Sequence, residues 1–233
     1  MIVVAAATPW ESAPLARALG LNPLDDGKRS GARRWSRPDG RLILVETGMG
    51  PGASTAAMDN LGAPRVSLVV SSGLAGALSE EARPGDIVAD LALAPPTMGA
   101  AARRLAVELG LRLHEGPLAS SDHVVASPED KRALGTRSGA MAVDMESEAL
   151  QAWARGRGAA FAAVRAVLDG VDDRLPESAP KGPGARHLLF YAAARWRDLP
   201  LLAKLGLRQR RAMAKLCAFL VRILSEVRDE QTA

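Results

Sequence analysis

The segment Val143-Asp144-Met145-Glu146-Ser147 sets two carboxylates among apolar residues. About twenty positions on, Ala163-Val164-Arg165-Ala166-Val167-Leu168-Asp169 is an apolar run that ends in an acid. A carboxylate between apolar neighbours is costly unless it is paired or used. One of these acids would open a helix and the other would end a strand, an arrangement suited to holding a ribose and a base. Gly48-Met49-Gly50-Pro51-Gly52 lies upstream, between a strand-like and a helix-like run. Glycines there let backbone amides approach an anion, and a helix N-terminus adds positive potential. The same residues serve equally well as a tight turn. They form no P-loop, since no Gly-Lys-Ser/Thr follows, and they make a poor dinucleotide fingerprint. Ser71-Ser72-Gly73-Leu74-Ala75-Gly76-Ala77 reads as a second small-residue loop after a strand, and two such loops at neighbouring strand ends suggest a shared pocket. Glu11 follows Thr8-Pro9-Trp10; by position alone it is a first-turn helix acid favoured by the macrodipole.

Other chemistries find less support. His123 lies in Ser120-Ser121-Asp122-His123-Val124, but no nucleophile-elbow pattern accompanies it. No two histidines are spaced for a metal and Cys217 is isolated, so no metal or other cofactor is expected. His114 and His187 read as surface residues.

The elements that must position these residues alternate in type. Residues 2–7, 41–47, 66–71, 86–91, 116–120 and 159–167 read as strands, and 12–19, 53–61, 100–109 and 147–155 as helices. Alternation of this kind implies an α/β fold with a largely parallel sheet. In such sheets ligands bind beyond the carboxyl ends of the strands, where Gly48–Gly52, Ser72–Gly76 and Asp169 all fall. Residues 170–184 are rich in Pro, Gly and Asp and read as a mobile loop or linker. Beyond it Met213, Leu216, Cys217, Leu220, Ile223, Leu224 and Val227 share one helical face, with Arg208, Arg211, Lys215 and Arg222 falling away from it.

The totals set bounds. A chain of 233 residues fits one large domain, or one with an appendage. A single cysteine excludes an internal disulfide and favours a reducing compartment. No signal peptide and no spanning helix is expected, so the protein should be cytoplasmic. The net charge of +4 hides an asymmetry: Lys181 to Arg228 holds eleven Lys or Arg against two acids, a net +9 that leaves −5 for the remainder. A basic segment can suit nucleic acid, an anionic membrane or solubility. Nucleic acid is the weak case, because no stacking aromatics or known module accompany the charges.

Taken together, VETGMGPGAST, SSGLAGAL, VDMES and VRAVLD resemble, in order over residues 2–170, the purine/uridine phosphorylase and methylthioadenosine/adenosylhomocysteine nucleosidase superfamily. The last two motifs are the specific ones. ASSDHVVASPEDK, AVDMES and the basic tail look most like hopanoid-associated phosphorylases, thought to act on adenosylhopane. The resemblance implies a three-layer αβα fold with a central twisted mixed sheet over 1–170, a loop at 171–185, and a basic amphipathic helical extension at 186–233. It implies cleavage of the N-glycosidic bond of a purine nucleoside with adenine release. Glu146 matches the acid on the ribose 2′ and 3′ hydroxyls, Met145 the methionine under the sugar, Asp169 the acid at purine N7, and Glu11 the acid that positions water. Val124 falls where a base-stacking aromatic is usual, and Gly48, Met49, Gly50 and Gly73 lie near the nucleophile. Ser71 and Leu74 stand where many phosphorylases have an Arg and a Ser, which puts the phosphate site in doubt; Arg33, Arg34 or a partner subunit's arginine could replace it. Inorganic phosphate or water therefore both stay open as nucleophile. So do a methylthioadenosine/adenosylhomocysteine-type nucleosidase and a non-catalytic membrane-associated nucleoside binder. A homodimer or larger assembly is expected; the tail either lies in peripheral contact with the inner membrane face or packs its apolar stripe on the body, with the charges only solvating it.

Overall fold

The computed structural model describes residues 1–24, 32–62, 65–175 and 199–230. The chain order is β1 (Ile2–Ala6), α1 (Pro9–Ala18), β2 (Asn22–Pro23), β3 (Arg34–Ser36), β4 (Leu42–Glu46), α2 (Pro51–Asp59), β5 (Leu68–Ala77), β6 (Ile87–Asp90), α3 (Pro96–Glu108), β7 (Leu113–Glu115), β8 (Leu118–Ser120), α4 (Pro128–Ser138), β9 (Ala142–Asp144), α5 (Ser147–Gly156), β10 (Ala160–Asp169) and α6 (Leu199–Glu230). The strands join one mixed sheet in the order β2-β3-β4-β1-β5-β10-β6-β7, with β9 pairing β5 and β8 pairing β9. Its centre is parallel, β4-β1-β5-β10, whereas β6 runs antiparallel to β10.

Period-two alternation splits the apolar residues between two helical layers. Ile2, Val4 and Ala6 of β1 face the cluster built with α1, α3 and α6. Val3 and Ala5 face the cluster built with α2 and α5. Three layers result, since each sheet face must bury its apolar side against another element.

Four features differ from the sequence reading. Ser71 to Ala77 is no loop: β5 runs on to Ala77, and the small residues lie in the strand itself, paired to β10. Helix α4 and the short strands β2, β3, β7 and β9 escaped, because none carries an amphipathic period long enough to register. α4 is mostly polar, and Lys131 is its one buried residue. His114 is not a surface residue; it sits in β7, 12% exposed, with Nε2 3.0 Å from Asp86 Oδ2. His187 lies outside the described residues.

The fourth difference is the tail. The stripe Met213, Leu216, Cys217, Leu220, Ile223, Leu224 and Val227 is buried in the same cluster as β1, β5 and β10. Helix α6 is thus part of one helical layer, and its apolar face is occupied by the body. Burial pushes the Cys217 thiol up to about 11. Among the described residues no helix is long and apolar enough to cross a membrane. Of the stretch read as a mobile linker, 170–175 is hydrogen-bonded: Asp173 N donates to Gly170 O and Leu175 N to Ala126 O, at 3.1 and 2.9 Å. Residues 176–198 lie outside the description.

Candidate active site

A cleft of about 250 Å³ opens at the carboxyl ends of β1, β5 and β10, and Glu11, Met49, Val124, Met145, Glu146 and Asp169 all line it. Residues 158 positions apart in the chain meet there because parallel strands end on the same side of the sheet.

Glu11 stands in the first turn of α1 and is only 5% exposed. Its Oε2 accepts from Thr8 N and Thr8 Oγ1 at 3.0 and 2.8 Å, capping the helix. Its Oε1 accepts from Leu74 N at 2.8 Å, tying α1 to β5. The helix-end placement read from the sequence thus holds, and the same side chain lines the cleft. Gly73 makes the approach feasible: a Cβ there would lie 2.3 Å from Glu11 Oε1 and 2.7 Å from Arg165 Nη1.

Glu146 is the N-cap residue of α5. Its Oε1 accepts from Gly50 N at 3.0 Å. That bond is the contribution of the glycine loop: Gly50 fixes the acid, at a φ of +85° that suits glycine. Gly48 does not reach the cleft. It turns the chain at φ +78°, with Ala53 Cβ against it. Burial, partly offset by Arg165 and by the Gly50 amide, raises the Glu146 carboxyl above its ordinary range.

Two residues given no role by the sequence reading hold these acids. Arg165, 1% exposed, projects from β10 to Asp144 Oδ2 at 2.7 Å and Glu146 Oε2 at 3.6 Å. It also donates to Ser71 Oγ at 2.6 Å. Asp144 in turn accepts from Ser120 Oγ at 2.8 Å and from the amides of Glu146 and Ser147 at 3.3 and 3.1 Å. Both carboxylate oxygens of Asp144 are engaged, so it anchors Arg165 and the start of α5. The signal for Arg165 was its lone charge within the apolar run AAVRAVL.

Asp169 ends β10, where the register with β5 shifts between Val167 and Asp169. Such a bulge re-aims a side chain. Its surroundings are not purely apolar: Lys131 Nζ lies 2.5 Å from Asp169 Oδ2, with both side chains essentially buried. Burial raises the Asp169 carboxyl above its usual range, and the Lys131 charge pulls against that rise. Lys131 was missed because a Lys in a polar helix looks like any solvated lysine.

Arg33 and Arg34 do not replace the missing phosphate-site arginine. Arg33 pairs with Glu46 at 2.8 Å, and Arg34 donates to Leu61 O at 3.1 Å. No Lys or Arg lines the cleft among the described residues. His123 is on its rim, exposed, with Nδ1 2.6 Å from Asp122 Oδ1.

Residues 89–181 match the phosphorylase superfamily, and the motifs outside that span, around Glu11, Gly50 and Gly73, join the same cleft. No curated protein sequence matches it. Solved structures do. The 5′-methylthioadenosine/S-adenosylhomocysteine nucleosidase of Helicobacter pylori, in complex with butyl-thio-DADMe-Immucillin-A, is 20% identical, with a TM-score of 0.72 and 97% of each chain covered. Futalosine hydrolase of H. pylori is 20% identical, at a TM-score of 0.71 and 97% of each chain. The S-adenosylhomocysteine nucleosidase of Streptococcus pyogenes is 19% identical, at a TM-score of 0.72 over 97% of this chain and 96% of its own. At these identities the likeness is one of fold.

Proposed function

We propose that this protein is a member of the phosphorylase superfamily and that it hydrolyses the N-glycosidic bond of a purine nucleoside, releasing adenine. The observation that carries the reading is the convergence of Glu11, Glu146 and Asp169 on one cleft, from α1, the start of α5 and the end of β10. Cleavage leaves positive charge on the ribose and negative charge on the base. Asp169 donates a proton to N7 and stabilises the leaving purine. Glu146 accepts from the 2′ and 3′ hydroxyls, a charge-assisted pair that fixes the sugar for attack. Glu11 orients water and receives its proton. Met145 packs beneath the sugar, while Val124 gives the base an aliphatic wall where related sites have an aromatic.

Water is favoured over inorganic phosphate by electrostatics. A phosphate dianion would meet Glu11 and Glu146, and like charges about 4 Å apart repel by roughly 4 kcal/mol at an effective dielectric constant near 20. Among the described residues, the cations beside the cleft acids are already engaged, Arg165 by Asp144 and Glu146 and Lys131 by Asp169.

For the substrate we propose a 5′-substituted adenosine. A lipid-bearing group such as that of adenosylhopane rests on the sequence resemblance of ASSDHVVASPEDK, and the exposed apolar Met49 and Val124 at the cleft give it a compatible mouth. The buried stripe of α6 removes the amphipathic helix that would have laid the protein on a membrane. A methylthio- or homocysteine-substituted adenosine fits the same anchors, so both classes belong in the assay. We further propose a homodimer or larger assembly working in the cytoplasm, with no cofactor.

The test is adenine release from methylthioadenosine, adenosylhomocysteine and a lipid-bearing adenosine, each with and without phosphate. Phosphate-independent adenine and free pentose are expected. A strict phosphate requirement overturns hydrolysis. Binding of every nucleoside without adenine release would leave a non-catalytic binder.

A further inference from the structure

We infer that Lys131 is a positioning residue for Asp169: it fixes which carboxyl oxygen faces the base and sets the pH range in which that acid holds its proton. The inference rests on Asp169 acting at the base, as proposed above.

Lys131 is fully buried. A lysine ammonium has three protons to give and no acceptor, and here all three are used. Nζ donates to Asp169 Oδ2 at 2.5 Å, to Gly170 O at 3.0 Å and to Asp173 O at 2.7 Å. Burying such a charge without partners is strongly unfavourable. Its partners are one acid and two carbonyls of the turn that follows that acid. A residue needed only to close the turn would have required the carbonyl bonds alone.

The consequence is directional. With Oδ2 held by the ammonium, Oδ1 has no partner among the described residues, and it is the oxygen left to meet N7. As the C1′–N9 bond breaks and its electron pair passes to the purine, the proton on Oδ1 moves to N7. Water oxygen bonds to C1′ and its proton goes to Glu11. Lys131 keeps its three protons and stabilises the carboxylate that Asp169 becomes.

The charges around Asp169 come from three elements. Lys131 of α4 and Arg208 of α6 favour its ionised form, and Asp173 of the turn opposes it. Arg208 bonds Asp173 Oδ2 and is thereby turned towards that acid, and Lys204 lies 4.0 Å from Asp173. Lys131 is the cation in direct contact. Burial works in the opposite sense, raising the carboxyl. Removing the Lys131 charge should therefore raise it further.

Lys131→Met tests this, with Lys131→Arg as the charge-keeping control. In kcat/KM for adenine release, the alkaline limb should move up by about one to three pH units in Lys131→Met, the range expected for loss of a contacting cation. Lys131→Arg should restore the wild-type limb. A structural role would lower the rate at all pH values without moving the limb. The carbon-13 titration of the Asp169 carboxyl in the ligand-free protein must move in the same sense, and it needs no activity. A moved titration in a protein that releases no adenine would sink the proposed function and leave the electrostatic role standing. If Lys131→Met does not fold, the wild-type protein decides: nitrogen-15 signals must show the Lys131 amine still charged while Asp169 loses its proton. An unmoved limb and titration in folded Lys131→Met, or a neutral Lys131 amine over that range, overturns the inference.

Discussion

Gly73→Ala is the sharpest perturbation of the proposed water site, because it adds one methyl group and removes nothing. The new Cβ would lie 2.3 Å from Glu11 Oε1, 2.8 Å from Glu11 Cδ and 2.7 Å from Arg165 Nη1. Carbon meets its neighbours comfortably at about 3.5 Å, so the Glu11 carboxylate must retreat by about 1 Å. Glu11 is held by Leu74 N, Thr8 N and Thr8 Oγ1. The bond to Leu74, next to the substitution, breaks first, and hydrogen bonds to charged groups contribute about 1.5–3 kcal/mol each. A displacement of about 1 Å in a positioning group costs about a hundredfold in rate. The expected loss is therefore about a hundredfold in kcat/KM for adenine release, or about 2.7 kcal/mol. The φ of +154° at Gly73 also strains an alanine backbone, so retained folding is checked by circular dichroism beside the rate. Gly206→Ala on α6, where an added Cβ meets nothing, is the control and should leave the rate unchanged. Wild-type kcat/KM in a folded Gly73→Ala protein would refute the placement of Glu11 at the reacting centre.

Asp169→Asn should lower turnover about a hundred- to ten-thousand-fold. At pH values where Asp169 is ionised, it should also destabilise the fold by about 3–5 kcal/mol in chemical denaturation, because buried Lys131 then loses its counter-charge. Glu146→Gln should nearly abolish turnover with a different stability profile. The Glu146 carboxyl titrates above its ordinary range, chiefly through burial. Its contribution to stability is full below the unfolded-state value and is lost as pH rises through the folded-state value. The melting temperature of Glu146→Gln should thus gain on the wild type as pH rises out of the ordinary carboxylate range towards the raised folded-state value; a constant gap would contradict the assignment. Truncation after Gly184 should unfold the protein, and Phe219→Ala alone should cost about 3–5 kcal/mol in denaturant titration, since Phe219 is fully buried. A folded, active truncation would show that α6 is not part of the core. Chelators should leave adenine release unchanged; restoration of lost activity by a divalent ion would contradict the metal-free chemistry.

The sequence by itself determined the layered α/β plan, because strand and helix periodicities are local properties that each run of residues states on its own. It also marked Glu146 and Asp169, since acids within VDMES and VRAVLD stand out against apolar neighbours. Met145 came with VDMES, and Val124 with ASSDHVVASPEDK. Tertiary structure alone decided what surrounds the acids. Arg165 and Lys131 are ordinary cations until folding closes water away from them, and only then does each select partners distant in sequence. The stretch Ser71–Ala77 read as a loop because glycine and serine weaken the strand pattern, yet pairing with β10 makes it strand. The stripe on α6 was fully legible as apolar, but periodicity says only that a face must be covered. Whether lipid or protein covers it depends on which surface lies against it, and in the fold that surface is the sheet of β1, β5 and β10.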